Sequence, residues 1–245
     1  MEKGRTASRQ ERKLSLSESI RKRQHEGRFP VISEIKVRSD KEGDLLGGRN
    51  PVDLAREMAR RPVAGISVVT ESEHFGGHVG LLRSVAAAVD VPVLHKDFIT
   101  SERQIEESAA FGASAILLIT AMLDGPRLIR LVETAKNCGL ETLVEAHTLT
   151  EVRQIEDLGF DLMGINNRDI TIYETDDNDV GRTEDIARFC RQDRLLISES
   201  SINTAEEVRR AARSGADAVL IGTAVLKAKR MSELLDELVS VGWPV

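Results

Sequence analysis

The stretch Phe111-Gly112-Ala113-Ser114-Ala115-Ile116-Leu117-Leu118-Ile119 decides how this chain is read. Its glycine suits the position just past a helix, where the backbone turns left-handed. Five apolar residues, Ala115 to Ile119, then follow without a polar break. Such a run fits a short strand buried on both faces, as in a parallel sheet covered by helices. The pattern returns at Ser214-Gly215-Ala216-Asp217-Ala218-Val219-Leu220-Ile221, and more loosely at Leu158-Gly159-Phe160-Asp161-Leu162-Met163-Gly164-Ile165. Repetition of a helix–glycine–strand unit predicts strands and helices in alternation.

Working outward, strand-like runs fall at 31–35, 65–70, 92–96, 115–119, 141–145, 162–165, 195–198 and 218–221. A helical pattern follows each of the first seven, with Ser101, Asp124, Thr148 or Thr150, and Thr204 as candidate caps, and a last helix fits 232–239. Eight such units in 245 residues predict an α/β fold of the closed (β/α)8, or TIM, barrel type. The alternative, an open doubly wound sheet, lacks its G-x-G-x-x-G loop here. The sparse apolar positions Leu14, Leu16 and Ile20 predict an extra amphipathic helix before Gly27. The expected organisation is a polar, frayed segment over residues 1–13 and one barrel domain over 14–245 that includes the extra helix.

Composition bounds the partners. The formal net charge of −6 argues against general nucleic-acid binding. The first 30 residues are basic, with nine Lys and Arg against four Glu, but hold no apolar run of signal-peptide length. No stretch reaches the length of a membrane span. Cys138 and Cys190 show no metal-ligand spacing and fit a reducing compartment. The expectation is a cytoplasmic protein with no membrane or nucleic-acid partner, a monomer, with a homodimer as the alternative.

A closed parallel barrel gathers the C-terminal strand ends around one mouth. There the sequence places Glu34 and Lys36, Thr70-Glu71, Lys96-Asp97, Glu145 and His147, Asn166-Asn167-Arg168-Asp169, Ser198-Glu199-Ser200 and Gly222-Thr223. The fourth strand runs instead into Thr120-Ala121-Met122-Leu123, an apolar wall. A single Lys-Asp pair at a strand end is usually a solvated ion pair. Two lysines, three glutamates and an asparagine converging on one mouth are poorly explained as surface decoration. A desolvated lysine near another cation is expected to have its pKa lowered and to act as a general acid. Buried glutamates are expected to rise and accept protons. Gly222-Thr223 and the serines after the seventh strand suit a phosphate. No metal cluster, nucleophile elbow or nucleotide loop is present, so the expectation is acid–base chemistry, without cofactor or metal, on a phosphorylated anionic small molecule.

Together, Ser33-Glu34-Ile35-Lys36, Thr70-Glu71 through Phe75-Gly76-Gly77, Pro92 to Ile99, Leu143-Val144-Glu145, Gly164 to Asp169 and Ser198-Glu199-Ser200 resemble indole-3-glycerol phosphate synthase over about residues 14–240. The resemblance implies a decarboxylating lyase of tryptophan biosynthesis. Its reaction closes 1-(o-carboxyphenylamino)-1-deoxyribulose 5-phosphate to indole-3-glycerol phosphate, with loss of CO2 and water. Carried over position by position, it implies Lys96 as general acid and Lys36 at the departing carboxylate. It makes Glu145 the acid–base partner in dehydration, supported by Glu34, with Asn166 and Ser200 positioning substrate and Glu199 on its hydroxyls. It sets Phe75 and Phe98 against the aromatic ring and Arg168 between loops at the mouth. Ser39, Ser201, Gly222 and Thr223 would meet phosphate. The extra helix resembles one that covers the barrel's mouth in this family.

Two main stretches depart from that pattern, and Thr223-Ala224 stands where small serines are more usual. Ser39-Asp40-Lys41-Glu42-Gly43 replaces Ser-Pro-Ser-x-Gly, which frees the loop and sets Asp40 near a phosphate unless Arg38 or Lys41 offsets it. Ser201 replaces a glycine, so a positive φ there would be strained and Ser201→Gly is expected to tighten phosphate binding. The competing readings are another phosphosugar barrel enzyme, such as the isomerase preceding this step, and a non-catalytic relative that binds a phosphorylated metabolite. The first needs a Cys or Asp pair at strand ends, where Cys138 and Cys190 do not lie. The second is disfavoured by the intact Glu34, Lys36, Lys96, Glu145 and Asn166.

Overall fold

The computed structural model describes residues 14–168 and 180–244. The polar start, residues 1–13, and Asp169 lie outside the described residues.

Eight parallel strands close on themselves in chain order: β1 (Val31–Ile35), β2 (Gly65–Val69), β3 (Val93–Lys96), β4 (Ala115–Ile119), β5 (Glu141–Ala146), β6 (Leu162–Asn166), β7 (Leu195–Glu199) and β8 (Ala218–Ile221). The ring closes where Val31 pairs with Val219 and Ile32 with Gly65. The expected strands are all present, and the ends differ by one residue or none. The surrounding helices start where the sequence places caps. Thr204 and Glu207 form a reciprocal capping box, and Asp124 accepts from the Arg127 amide. Of the two threonines, Thr148 is the cap.

Strand parity sorts the side chains into two cores. Val31, Ile35, Ile66, Val68, Val93, Ile116, Leu118 and Val144 point outward and pack with the helix layer. Ile32, Leu94, Leu117, Leu143, Leu162, Ile197 and Leu220 point into the barrel. Two residues further along, the inward positions are Glu34, Lys96, Glu145 and Glu199, with glycines at 164 and 222 and, on β4, the apolar Ile119. One alternation therefore builds an apolar lower barrel and a charged upper rim.

The extra helix, α1 (Leu16–His25), does not cover the mouth. Leu16 and Ile20 join the barrel's inner core, and Ser15 Oγ and the Leu16 amide donate to Glu141 at the start of β5, at 3.0 and 2.5 Å. At its other end Gln24 donates to the Asp217 carbonyl at 3.2 Å, just before β8. The helix plugs the floor. Only five residues separate His25 from Val31, and β1 begins at the floor, so the chain has no length to reach the opposite end.

After β1 the chain forms a small hairpin, Arg38–Ser39 against Gly43–Asp44. It is fastened rather than free. The Arg38 amide donates to the Phe75 carbonyl at 3.1 Å, His74 Nδ1 lies 3.0 Å from Asp40, and Lys227 pairs with Glu42.

Candidate active site

Lys96, at the end of β3, is the centre of the mouth. Its Nζ donates to Glu199 Oε2 at 3.0 Å and lies 3.6 Å from Glu34 Oε2. Glu34 Oε1 is 3.7 Å from Lys36 Nζ, and Ser67 Oγ donates to Glu34 at 3.3 Å. Lys36 also sits 5.6 Å from the centre of the Phe75 ring. Two glycines make room for this cluster. A Cβ on Gly222 would stand 2.6 Å from Glu34 Oε1, and one on Gly164 would overlap Glu199 Oε1. Neither position accepts alanine without moving a buried carboxylate.

The electrostatics correct one expectation. Burial pulls the Lys96 ammonium down, but Glu199, Glu34 and Glu145 more than offset it, so Lys96 is raised above its ordinary value. It is a firmly held proton, not a lysine driven toward neutrality. The acids divide. Burial pushes Glu199 up to about 7, and it also raises Glu145, each against the lowering influence of Lys96. Glu34 is lowered, because burial is outweighed there by Lys96, Lys36 and the Ser67 hydroxyl. One mouth thus holds an ionised carboxylate beside two that take protons readily.

Two adjoining cavities open on this cluster. The larger, about 320 Å³, has an apolar wall of Val69, Leu117, Ile119, Met122, Phe75 and Phe98, and Lys36, Lys96, Glu145, Asn166 and Arg168 reach it. The smaller, about 30 Å³, is polar and is bounded by Ser200, Ser201, Gly222 and Thr223. Glu34, Lys36, Lys96, Arg168 and Ser200 border both.

Most of the expected residues meet here, and two do not. Glu199 is fully buried beneath Lys96, accepts from its ammonium, and borders neither cavity. Ser39 is buried in its hairpin, where its hydroxyl accepts from the Glu42 amide at 3.1 Å. Asp40 borders the larger cavity, away from the polar one, and pairs with His74 rather than Arg38 or Lys41. Ser200 and Ser201 both take left-handed φ, 68° and 57°, which the sequence anticipated only for Ser201. Asn167 holds that strained turn, with its Nδ2 donating to the Glu199 and Ser200 carbonyls at 3.0 and 3.1 Å. Ser201 Oγ is buried beside the small cavity with no hydrogen-bond partner among the described residues.

His95, unplaced from sequence, faces the helix layer. Its Nε2 is 2.7 Å from Thr70 Oγ1 and its Nδ1 2.7 Å from Ser108 Oγ, which ties β3 to the helix that follows. Asp97 binds Thr70 and accepts from the Phe98 amide at 2.7 Å, holding the loop and not the lysine. Sequence reasoning missed Glu71 as an organiser. It accepts from the amides of Glu73, His74 and Phe75 at 2.7, 2.8 and 3.1 Å and so shapes the loop that presents Phe75. Among the described residues no group of three or more His, Cys, Asp and Glu is arranged to hold a metal ion, and no helix is long and apolar enough to cross a membrane.

A closed barrel whose strand ends set a protonated lysine among carboxylates, over paired apolar and polar cavities, defines a (β/α)8-barrel enzyme of acid–base chemistry. Residues 2–238 match the family model of indole-3-glycerol phosphate synthase. Indole-3-glycerol phosphate synthase from Pyrococcus furiosus is 45% identical over 226 residues, 92% of this chain and 97% of the relative. That from Thermococcus kodakarensis is 42% identical, covering 93% and 98%, and that from a Nocardioides species 43%, covering 80% and 75%. The solved structure of N-acetylmannosamine-6-phosphate 2-epimerase from Clostridium perfringens superposes with a TM-score of 0.65 over 82% of this chain and 89% of that one. At 18% identity that likeness carries the fold alone. The chain belongs to the indole-3-glycerol phosphate synthase family, decarboxylating lyases of tryptophan biosynthesis.

Proposed function

We propose that this mouth closes the indole ring of 1-(o-carboxyphenylamino)-1-deoxyribulose 5-phosphate by the following division of labour. The observation that carries it is the position of Lys96, a held cation at the junction of an aromatic-sized apolar cavity and a small polar one. The phosphate lies in the small cavity against Ser200, Ser201 and the amides of Gly222 and Thr223, where the unpaired Ser201 hydroxyl supplies a donor. The anilino ring packs against Phe75, Phe98 and the apolar wall, with Asn166 and Arg168 orienting the chain between them.

Lys96 donates its proton to the ketone oxygen as the aromatic carbon attacks that carbonyl. Lys36 faces the ring carboxylate, which departs as CO2 and restores aromaticity. In dehydration Glu145, raised by burial, takes a proton from the methylene carbon beside the ring nitrogen, forming the new C–C double bond, while Lys36 protonates the hydroxyl that leaves as water. Glu34, ionised between the lysines, keeps both charged. Glu199 does the same for Lys96 from below and makes no contact with substrate. We further read the protein as a cytoplasmic monomer acting on a small phosphorylated anion, its net charge of −6 disfavouring nucleic acid.

Purified protein given the anilino-deoxyribulose phosphate should produce indole fluorescence. No product at high enzyme concentration would sink the reading, and the binding-only alternative would then stand if the substrate still bound.

A further inference from the structure

Glu145 is buried at the mouth, and a substrate seated there closes its route to water. By the division of labour above, each turnover takes one proton from Lys96 and one from Lys36 and puts one on Glu145, so the closed site must exchange protons with water. Behind Glu145, away from both cavities, stands His147, whose side chain is only 4% exposed. Strand parity puts the two residues on one side, two positions apart. His147 Nε2 lies 3.3 Å from Glu145 Oε1, and its Nδ1 lies 3.4 Å from Glu151 Oε2 on the helix α2 (Leu149–Ile155). Among the described residues neither ring nitrogen makes a hydrogen bond in the resting geometry, and a small rotation completes one at either separation. Glu151 is held by the His147 amide, which donates to Oε2 at 2.7 Å, and its side chain is 19% exposed. The series therefore runs from the closed site to solvent.

We propose that Glu145, His147 and Glu151 form a proton relay that exchanges the proton of the active-site base with water while substrate or product fills the mouth. The proposal rests on the acid–base role given to Glu145 above. In the charged state protonated Glu145 faces a neutral imidazole whose Nδ1 carries the hydrogen. Glu145 gives its proton to Nε2, Nδ1 gives its own to the Glu151 carboxylate, and Glu151 passes it to water. The imidazole ends neutral as the other tautomer, and the reverse transfer, from water through Glu151 and the ring to Glu145, brings in protons that recharge Lys96 and Lys36. The charged groups facing His147 are Glu145 and Glu199 from the barrel, Glu151 from α2 and Arg182 from the following helix, whose guanidinium donates to the His147 carbonyl at 3.4 Å. Burial and Arg182 favour the neutral ring, and burial is the larger of the two, so the relay has a vacant nitrogen in its resting state.

Glu151→Gln keeps an oxygen for the His147 amide but cannot accept a proton, and His147→Ala leaves a space the size of imidazole. Each should lower kcat by about tenfold or more with KM little changed. Added imidazole should restore the His147→Ala enzyme in proportion to its concentration and leave the parent enzyme unaffected. Wild-type kcat in either variant, or a His147→Ala loss that imidazole does not restore, overturns the relay. Glu145→Gln separates this failure from that of the underlying reading. If Glu145→Gln turns over normally, the acid–base role of Glu145 is wrong. If it is inactive while the other two variants are normal, only the relay is.

Discussion

Lys96→Met tests the site most sharply, because it removes one cation from among three buried carboxylates. In the parent protein Glu199 titrates near 7 when folded against 4.5 for the free side chain. A carboxyl raised on folding is neutral in both states at low pH, and stability is lost as the unfolded chain ionises. Between pH 4.5 and 7 that costs about 3 kcal/mol, with no further loss above 7. Lys96 lowers Glu199, Glu145 and Glu34 alike, so without it all three folded values rise and the loss continues past pH 7. Lys96 is itself raised, so its own contribution is fully present throughout this range and its removal adds a constant cost. At pH 8.5 the sum is about 3–5 kcal/mol, the usual result of stripping one partner from a buried pair. For a chain of this size that lowers the melting temperature by on the order of 10 °C. At pH 5.5 protonation of Glu199 relieves part of it, so the gap between variant and parent should narrow. Unfolding at the two pH values, with turnover by indole fluorescence, measures both halves. Turnover should fall by at least about 100-fold while substrate binding stays measurable. A stability gap that is equal at both pH values, or larger at 5.5, would refute the charge assignment, and retained turnover would refute the acid.

Ser201→Gly releases a left-handed serine, worth about 1–2 kcal/mol, against about 0.4–1 kcal/mol of extra freedom in the unfolded chain, so the unfolding midpoint should rise slightly. The same change deletes the unpaired hydroxyl at the small cavity, so KM should rise by about tenfold, opposite to what the family pattern suggested; a lower KM would show that strain, not the donor, controls affinity. Leu16→Ala opens the barrel floor and should cost about 2–5 kcal/mol in chemical unfolding with kcat and KM unchanged, whereas a changed KM would move the helix back to the mouth. Because Glu199 gains a negative charge as pH passes about 7, KM for this anionic substrate should climb from pH 6 to 8, and Glu199→Gln should flatten that climb.

The fold was legible because its signals are local. The three helix–glycine–strand junctions each write their own turn, and eight strand–helix units in series leave few ways to close. The catalytic set was legible for a related reason: strand ends are readable, and a parallel barrel delivers them to one place. The placement of α1 was a different kind of question. Its amphipathic pattern says that one face is buried but not against which end. The five residues to β1 settle that, because they are too few to span the barrel from mouth to floor. The pKa of Lys96 failed for a similar reason. Sequence shows which ionisable groups arrive at the mouth, while the sign of the shift depends on separations near 3 Å between strands far apart in the chain.

Strand parity was the unused signal. Read at period two, Ile32-Glu34-Lys36, Leu94-Lys96, Leu143-Glu145-His147, Leu162-Gly164-Asn166, Ile197-Glu199 and Leu220-Gly222 each rise from apolar floor to polar rim on one face. The rule sends His95 outward to Ser108 and Lys96 inward. It also sets His147 in line behind Glu145 and exposes why Gly164 and Gly222 lack side chains. They stand at rim height, where Glu199 and Glu34 take up the space. The larger carboxylates fit because their neighbours on adjacent strands are empty. A barrel rim that must hold three buried acids around one lysine therefore fixes glycines as firmly as it fixes charges.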